Sequence, residues 1–142
     1  MKNDALLYVG QKAFIEKDGK ILVLHDYLGL DFPGGKIQEG EIKDGDFNSL
    51  NDSLKREVAE ETGFKIEVFD PFAVWYRVFP KIHKYYGESV YLIGFKCKYI
   101  SGDLKLSDEH DKFEWVDKSS YEKWNDKSGY FTALKKYFLL EK

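Results

Sequence analysis

The sequence predicts an α/β fold, a mixed β-sheet covered by helices, on three observations. Strand-like runs outnumber helical ones, one amphipathic helical stretch sits between two groups of them, and an apolar helical pattern closes the chain. A sheet sandwiched by helices satisfies all three better than a bundle or an all-β barrel.

The elements follow in order. The stretch QKAFIEKDGKILVLHD reads as a hairpin, with strands Ala13–Glu16 and Ile21–His25 joined across Asp18-Gly19. A long loop follows, punctuated by Pro33, Gly34, Gly35, Gly40 and Gly45. A helix is predicted over Phe47–Thr62, with Asp46 or Asn48 as N-cap and Gly63 as its stop. Strands are expected at Lys65–Phe69, Phe72–Phe79, Ser89–Tyr99 and Lys112–Val116, and Pro80–Glu88 links two of them. Tyr130, Leu134, Tyr137 and Phe138 sit at helical spacing, so a terminal helix packs on the body. With 142 residues, no repeat and no linker, one domain spanning residues 1–142 is expected.

Composition narrows the function classes. Net charge is −3, and no long basic run offers a face for duplex nucleic acid. Of 22 basic residues only Arg56 and Arg77 are arginine, whose planar fork suits carboxylate or phosphate. Cys97 is the lone cysteine, so no disulfide framework forms within the chain. The N-terminal MKNDALLYVG is too short and polar for a signal peptide, and nothing approaches a membrane span. A cytoplasmic protein is the expectation.

The chemistry concentrates in SLKREVAEETGF, Ser53 to Phe64. On a helix, Phe47, Leu50, Leu54 and Val58 fall along one core-facing stripe about 80° wide. Glu61 lands inside that stripe, Glu57 lies at its edge, and Glu60 lies further round. Glu57 and Glu61 are i,i+4 neighbours, where like charges repel. An unpaired buried carboxylate is costly, whereas a hard divalent cation turns repelling carboxylates into co-ligands. A calcium EF-hand starting at Asp44 is excluded, because Ser49 stands where its glycine belongs and Lys55 where its bidentate glutamate belongs.

GGKIQEGE followed by REVAEETGF resembles the Nudix box, G-x5-E-x7-R-E-U-x-E-E-x-G-U, with U aliphatic or aromatic. Gly35 opens the box, Glu41 is its first acid, Arg56-Glu57 and Glu60-Glu61 are its paired positions, and Gly63-Phe64 closes it. Fourteen residues separate Glu41 from Arg56 where the pattern has seven, a surplus of about Ile42 to Asn48 that should lengthen the loop and spare the helix. Gln38 also stands where many members carry Glu, and Asp31 where an aromatic often precedes the turn. With the hairpin before and FEWVD after, the resemblance extends over most of the chain.

The resemblance implies an α/β/α sandwich that hydrolyses a nucleoside diphosphate linked to another group, with Mg2+ (or Mn2+) as cofactor. It implies Gly35 (through its carbonyl), Glu57, Glu60 and Glu61 as the metal set, and Arg56 as the group that orients and neutralises the carboxylates. The carboxylate that takes the proton of the attacking water is Glu57 or a loop acid, Glu88 or Glu109, with Glu109 preferred. Lys36, Arg77, Lys81 and Lys84 are candidates for phosphate contact, and Tyr27, Trp75, Tyr85 and Tyr86 for base stacking. From these, Lys36, Arg77 and Tyr86 are taken as the substrate-binding set. The stretch around Glu109 is similar to dinucleoside polyphosphate hydrolases, while Pro80 points to ADP-ribose pyrophosphatases. Diadenosine polyphosphate, ADP-ribose and a (d)NTP therefore all stand as substrates. A non-catalytic domain that binds a nucleotide or protein partner is the alternative, and cap removal lacks a basic patch. A homodimer is compatible with the sequence, although no interface stripe is visible in it.

Overall fold

In the computed structural model, which describes residues 3–84 and 86–140, alternation along the strands sends apolar side chains to both faces of one sheet. Strand β1 (Tyr8–Lys17) turns back into β2 (Lys20–Asp26) through Asp18 and Gly19, both at positive φ, as a tight hairpin requires. Short strands β3 (Gly29–Asp31) and β4 (Gly34–Lys36) bracket Phe32-Pro33 and pair with β2 and β1. Strands β5 (Lys65–Val78), β6 (Ser89–Ser101) and β7 (Lys112–Val116) complete the sheet. The main order is β3-β2-β1-β6-β5, with β4 added on β1 and β7 on β2. Pairing is antiparallel except between β1 and β6, so the sheet is mixed.

Three boundaries differ from the sequence expectation. Strand β1 starts at Tyr8 and not at Ala13, because the parallel ladder to Val90–Lys98 extends pairing into a segment without apolar alternation. The two strands expected at Lys65–Phe69 and Phe72–Phe79 are one, with register shifts on either side of Pro71. Proline cannot donate to a ladder, and an edge strand with bulges tolerates it. The first helix, α1 (Ser49–Thr62), begins two residues later than Phe47. Phe47 is 97% exposed and is no part of the buried stripe, which runs through Leu54, Val58 and Glu61. Asn48 holds the N-cap position, but only its backbone carbonyl is used, accepting from Asp52 N–H. Gly63 ends the helix at φ 80°, with its N–H bonded to the Ala59 carbonyl.

Two cores result, one on each face. Ala13, Ile15, Leu22 and Leu24 pack beneath α1 against Leu54 and Val58. Phe14, Ile21 and Val23 point the other way, toward α2 (Gly129–Leu140) and its Tyr130, Leu134, Tyr137 and Phe138. Trp75 belongs to this second core, is 8% exposed and packs on Gly129, so it is a core residue and not a base clamp. Tyr85, another stacking candidate, lies outside the described residues. No helix among the described residues is long and apolar enough to cross a membrane. The arrangement is an α/β/α sandwich.

Leu54, 1% exposed, grips the sheet together with Val58. Leu54→Ala is expected to lower stability by about 2–5 kcal/mol in urea unfolding, and a loss under about 0.5 kcal/mol would show that α1 is not held there.

Candidate active site

Two glycines set the geometry. Gly34 has φ 142°, and a Cβ there would collide with the Gln11 carbonyl of β1. A Cβ on Gly35 would lie 2.9 Å from the Glu57 carboxylate. Only bare backbone lets β4 lie this close to α1. Glu61, one helical turn on from Glu57, accepts the Gly34 N–H at 3.3 Å. The two carboxylates thus meet the Gly-Gly backbone together. Burial raises both above the usual carboxylate range, and pushes Glu61 up to about 7, against the pull of the Lys12 charge.

Behind them Arg56 gathers three carboxylates. It donates to Glu41 at 2.6 Å, to Glu57 at 3.1 Å and to Glu60 at 2.9 Å. Glu41 also accepts from the Ser53 hydroxyl at 2.7 Å and the Gln38 N–H at 2.6 Å. The Ser53 bond and then Arg56 hold Glu41 down to about 2. Glu60, with a side chain 58% exposed, turns toward Arg56 and does not line the cleft.

The cleft itself holds about 520 Å³. Gly35, Lys36, Glu57, Glu61, Arg77 and Glu109 all line it. The Arg77 guanidinium lies 4.3 Å from the centre of the Tyr130 ring. Lys36 Nζ lies 4.5 Å from the Tyr8 ring centre. At the mouth His83 stacks on Phe79 at 4.2 Å, with Tyr27 parallel to it at 6.1 Å. Tyr86, 60% exposed, is not among the lining residues, and neither are Glu88 and Lys81, although the backbones of Tyr86 and Glu88 bond to those of the lining His83 and Phe79. His25 is bonded to Asp111 at 2.8 Å, also away from the cleft.

Sequence reasoning missed the floor of this cleft. Lys12, Asp31 and His110 are each at least nine-tenths buried there. Lys12 Nζ is 3.0 Å from one Asp31 oxygen, and His110 Nε2 is 2.8 Å from the other. Burial alone would lift Asp31, yet the Lys12 charge and the His110 bond bring it down to about 2. Lys12 is raised by the same partner, against its own burial. Ligating atoms of Asp26, Asp31 and His110 lie within 4.8 Å of one another, a donor set that fits a cation. Lys12 already supplies Asp31 with a positive charge. The available signal was a charged residue in the otherwise apolar LGLDFPGG.

Glu61 gives a sign-determined pH dependence. Its folded pKa is raised from 4.5 to about 7, so its contribution to stability is complete below the unfolded value and is lost as pH rises through about 7. In metal-free buffer, Glu61→Gln should gain on wild type by on the order of 3 kcal/mol between those limits. Parallel stability curves for the two proteins across that range would contradict a buried, unneutralised Glu61.

The NUDIX domain family matches residues 12–136. The fold is similar to the solution structure of the E. coli ORF135 protein (TM-score 0.73, 22% identity, covering 94% of this chain and 90% of that one). It is similar to the MutT protein from Methanosarcina mazei Go1 (0.71, 23%, 96% of each). It is also similar to an ADP-ribose pyrophosphatase from Streptococcus suis 89-1591 (0.63, 17%, 96% and 95%). No curated protein is matched by the sequence. Because the family match covers nearly the whole sandwich and the glycine–carboxylate cleft within it, the chain belongs to the NUDIX domain family.

Proposed function

We propose that this chain, as a single domain over residues 1–142, hydrolyses a diphosphate linkage in a nucleoside diphosphate derivative with Mg2+ (or Mn2+) as cofactor. The observation that carries the reading is the packing of the half-buried Glu57 and the buried Glu61 against Gly34-Gly35, where burial raises both carboxylates and nearby acids, Glu60 and Glu41 for Glu57 and Asp31 for Glu61, add to that. Hard oxygen donors in a cramped anionic pocket suit a small divalent ion. Glu57, Glu61 and the Gly35 carbonyl would hold it, and Glu60, tied to Arg56, would act from further out or through water. When bound, such an ion offsets phosphate charge and makes a water more acidic.

The remaining chemistry belongs to the chain. Lys36 and Arg77 line the cleft as cations able to meet phosphate oxygens. Tyr130 beneath Arg77 restricts where that guanidinium points. Glu109, exposed at the same cleft, is our choice for the loop acid over Glu88, and Glu57 is the other candidate base. The water oxygen bonds to phosphorus, its proton passes to the carboxylate, and the P–O bond to the leaving phosphate breaks. Arg56 does not touch the cleft, so its part is to fix Glu57 and Glu60 from behind. We read Ile42–Asn48 as extra box residues, and the contacts of Glu41 with Arg56 and Ser53 support a loop that lengthens without releasing that acid.

The cleft volume suits a nucleotide-sized ligand. Diadenosine polyphosphate, ADP-ribose and a (d)NTP are the candidate substrates, and the similarity to a structure described as an ADP-ribose pyrophosphatase keeps the second in view. A cytoplasmic setting, with no duplex nucleic acid as partner, goes with the buried lone Cys97 and the net charge of −3. A non-catalytic binding domain would have no use for a repelling Glu57–Glu61 pair.

Phosphate release from a panel of these nucleotides with Mg2+ tests the proposal. Turnover is expected for at least one class, and Glu57→Gln should lower it by about 10²–10⁴-fold while leaving the circular dichroism unchanged. No turnover on any substrate, or a variant as fast as wild type, would sink the catalytic reading.

A further inference from the structure

Glu109 has nothing of its own to hold it. Its side chain is exposed and makes no hydrogen bond or ion pair among the described residues. A base must come within about 3 Å of the proton it takes, so whatever fixes this turn of backbone fixes the acid. Backbone bonds tie both ends of the turn. Lys105 and Ser107 donate their N–H groups to the Thr62 and Glu61 carbonyls at the end of α1, at 2.9 and 3.1 Å. Asp111 N–H donates to the His25 carbonyl at 3.0 Å. The His25 and Asp111 side chains also meet at 2.8 Å, but at the surface, where such a pair holds weakly. Between these ties lie Asp108, Glu109 and His110, and of the three His110 alone is buried. Its side chain is 2% exposed. His110 Nε2 donates to Asp31 Oδ2 at 2.8 Å, and Nδ1 meets no partner among the described residues, so Asp31 is the ring's one polar anchor. The other Asp31 oxygen accepts from Lys12 Nζ at 3.0 Å and from the Phe32 N–H at 2.8 Å.

We propose that Lys12, Asp31 and His110 form a latch at the cleft floor that positions Glu109, with His110 as the positioning residue. The proposal rests on Glu109 as the acid that takes the proton of the attacking water. Strands β3 and β7 both pair with β2, and Leu24 of β2 is in register with Asp31 and with Phe113, which brings the turn before β7 close to β3. Asp31 ends β3 and is fixed there by its strand, by the Phe32 N–H and by Lys12. Lys12 supplies the positive charge that lets a carboxylate stay ionised out of water. A bond from an imidazole to such a carboxylate, shielded from solvent, is short and strong. One residue earlier in the chain, Glu109 is left with a fixed backbone and a free side chain, at the cleft that both residues line. The Lys12 ammonium already neutralises Asp31, so the trio serves to hold the turn and not to bind an ion.

Kinetics of the full chain with Mg2+, on the nucleotide it hydrolyses, test the latch together with amide hydrogen exchange. His110→Leu fills the space and removes the donor. It is expected to lower kcat by about 10–100-fold and to leave KM within about two-fold of wild type. His110→Gln, whose amide NH2 group can replace Nε2 as donor, should recover most of that loss. In a Glu109→Ala background, His110→Leu should change kcat by no more than about two-fold, because the group it positions is gone. Exchange should quicken at residues 108–111 in His110→Leu and stay as in wild type along α1. Losses that simply multiply in the double variant, no recovery in His110→Gln, or unchanged exchange would each overturn the latch. A Glu109→Ala chain as fast as wild type would remove the acid from the reaction, and the proposal with it, while leaving the hydrolase reading intact. A wild type that hydrolyses no nucleotide would refute that reading and this proposal together.

Discussion

The closeness of Gly34-Gly35 to the carboxylates of α1 is the constraint on which the site depends. A side chain at Gly35 would occupy the space of the Glu57 carboxylate, and one at Gly34 would push β4 off β1. Hydrogen bonding to β1 holds β4 in place, and the buried Leu54 and Val58 hold α1 in place. The sheet and the helix therefore converge on a point that only backbone can fill. There two acids are forced inward against the cost of their burial, which is why both resist ionisation. Stability is locally sacrificed for an anionic pocket.

The rest of the cleft distributes charge around that pocket. Arg56 neutralises from the solvent side, where Glu41, Glu57 and Glu60 share its fork. Lys12 does so from the sheet side, where it holds Asp31 ionised together with His110. Neither cation meets Glu61 directly through a bond, and burial pushes Glu61 up to about 7. Lys36 and Arg77 each carry an aromatic ring against them, which helps to orient both cationic groups. A phosphate chain would find acids at one end of the cleft and these cations along its wall.

Much of this was legible in the sequence where chemistry and spacing agreed. The i,i+4 pair of Glu57 and Glu61 on an apolar stripe announced the inward carboxylates, whereas the double glycine read only as punctuation of a long loop and its close approach to α1 emerged from the packing. The terminal helix was equally clear, because Tyr130, Leu134, Tyr137 and Phe138 share one face. Phe47 misled, since helical spacing cannot tell where a helix begins, and a loop left that ring in solvent. Lys12, Asp31 and His110 were invisible because their partnership spans 79 residues between His110 and Asp31.

Melting of the wild-type protein and of Glu61→Gln, each with and without millimolar Mg2+ at alkaline pH, tests the central claim most directly. A ligand bound only by the folded state stabilises it in proportion to the logarithm of one plus the ratio of free ligand to Kd. Wild type should therefore melt several degrees higher with the ion, and Glu61→Gln should respond little. An unmoved wild type, or an equal rise in both proteins, would contradict a cation site built on the buried pair.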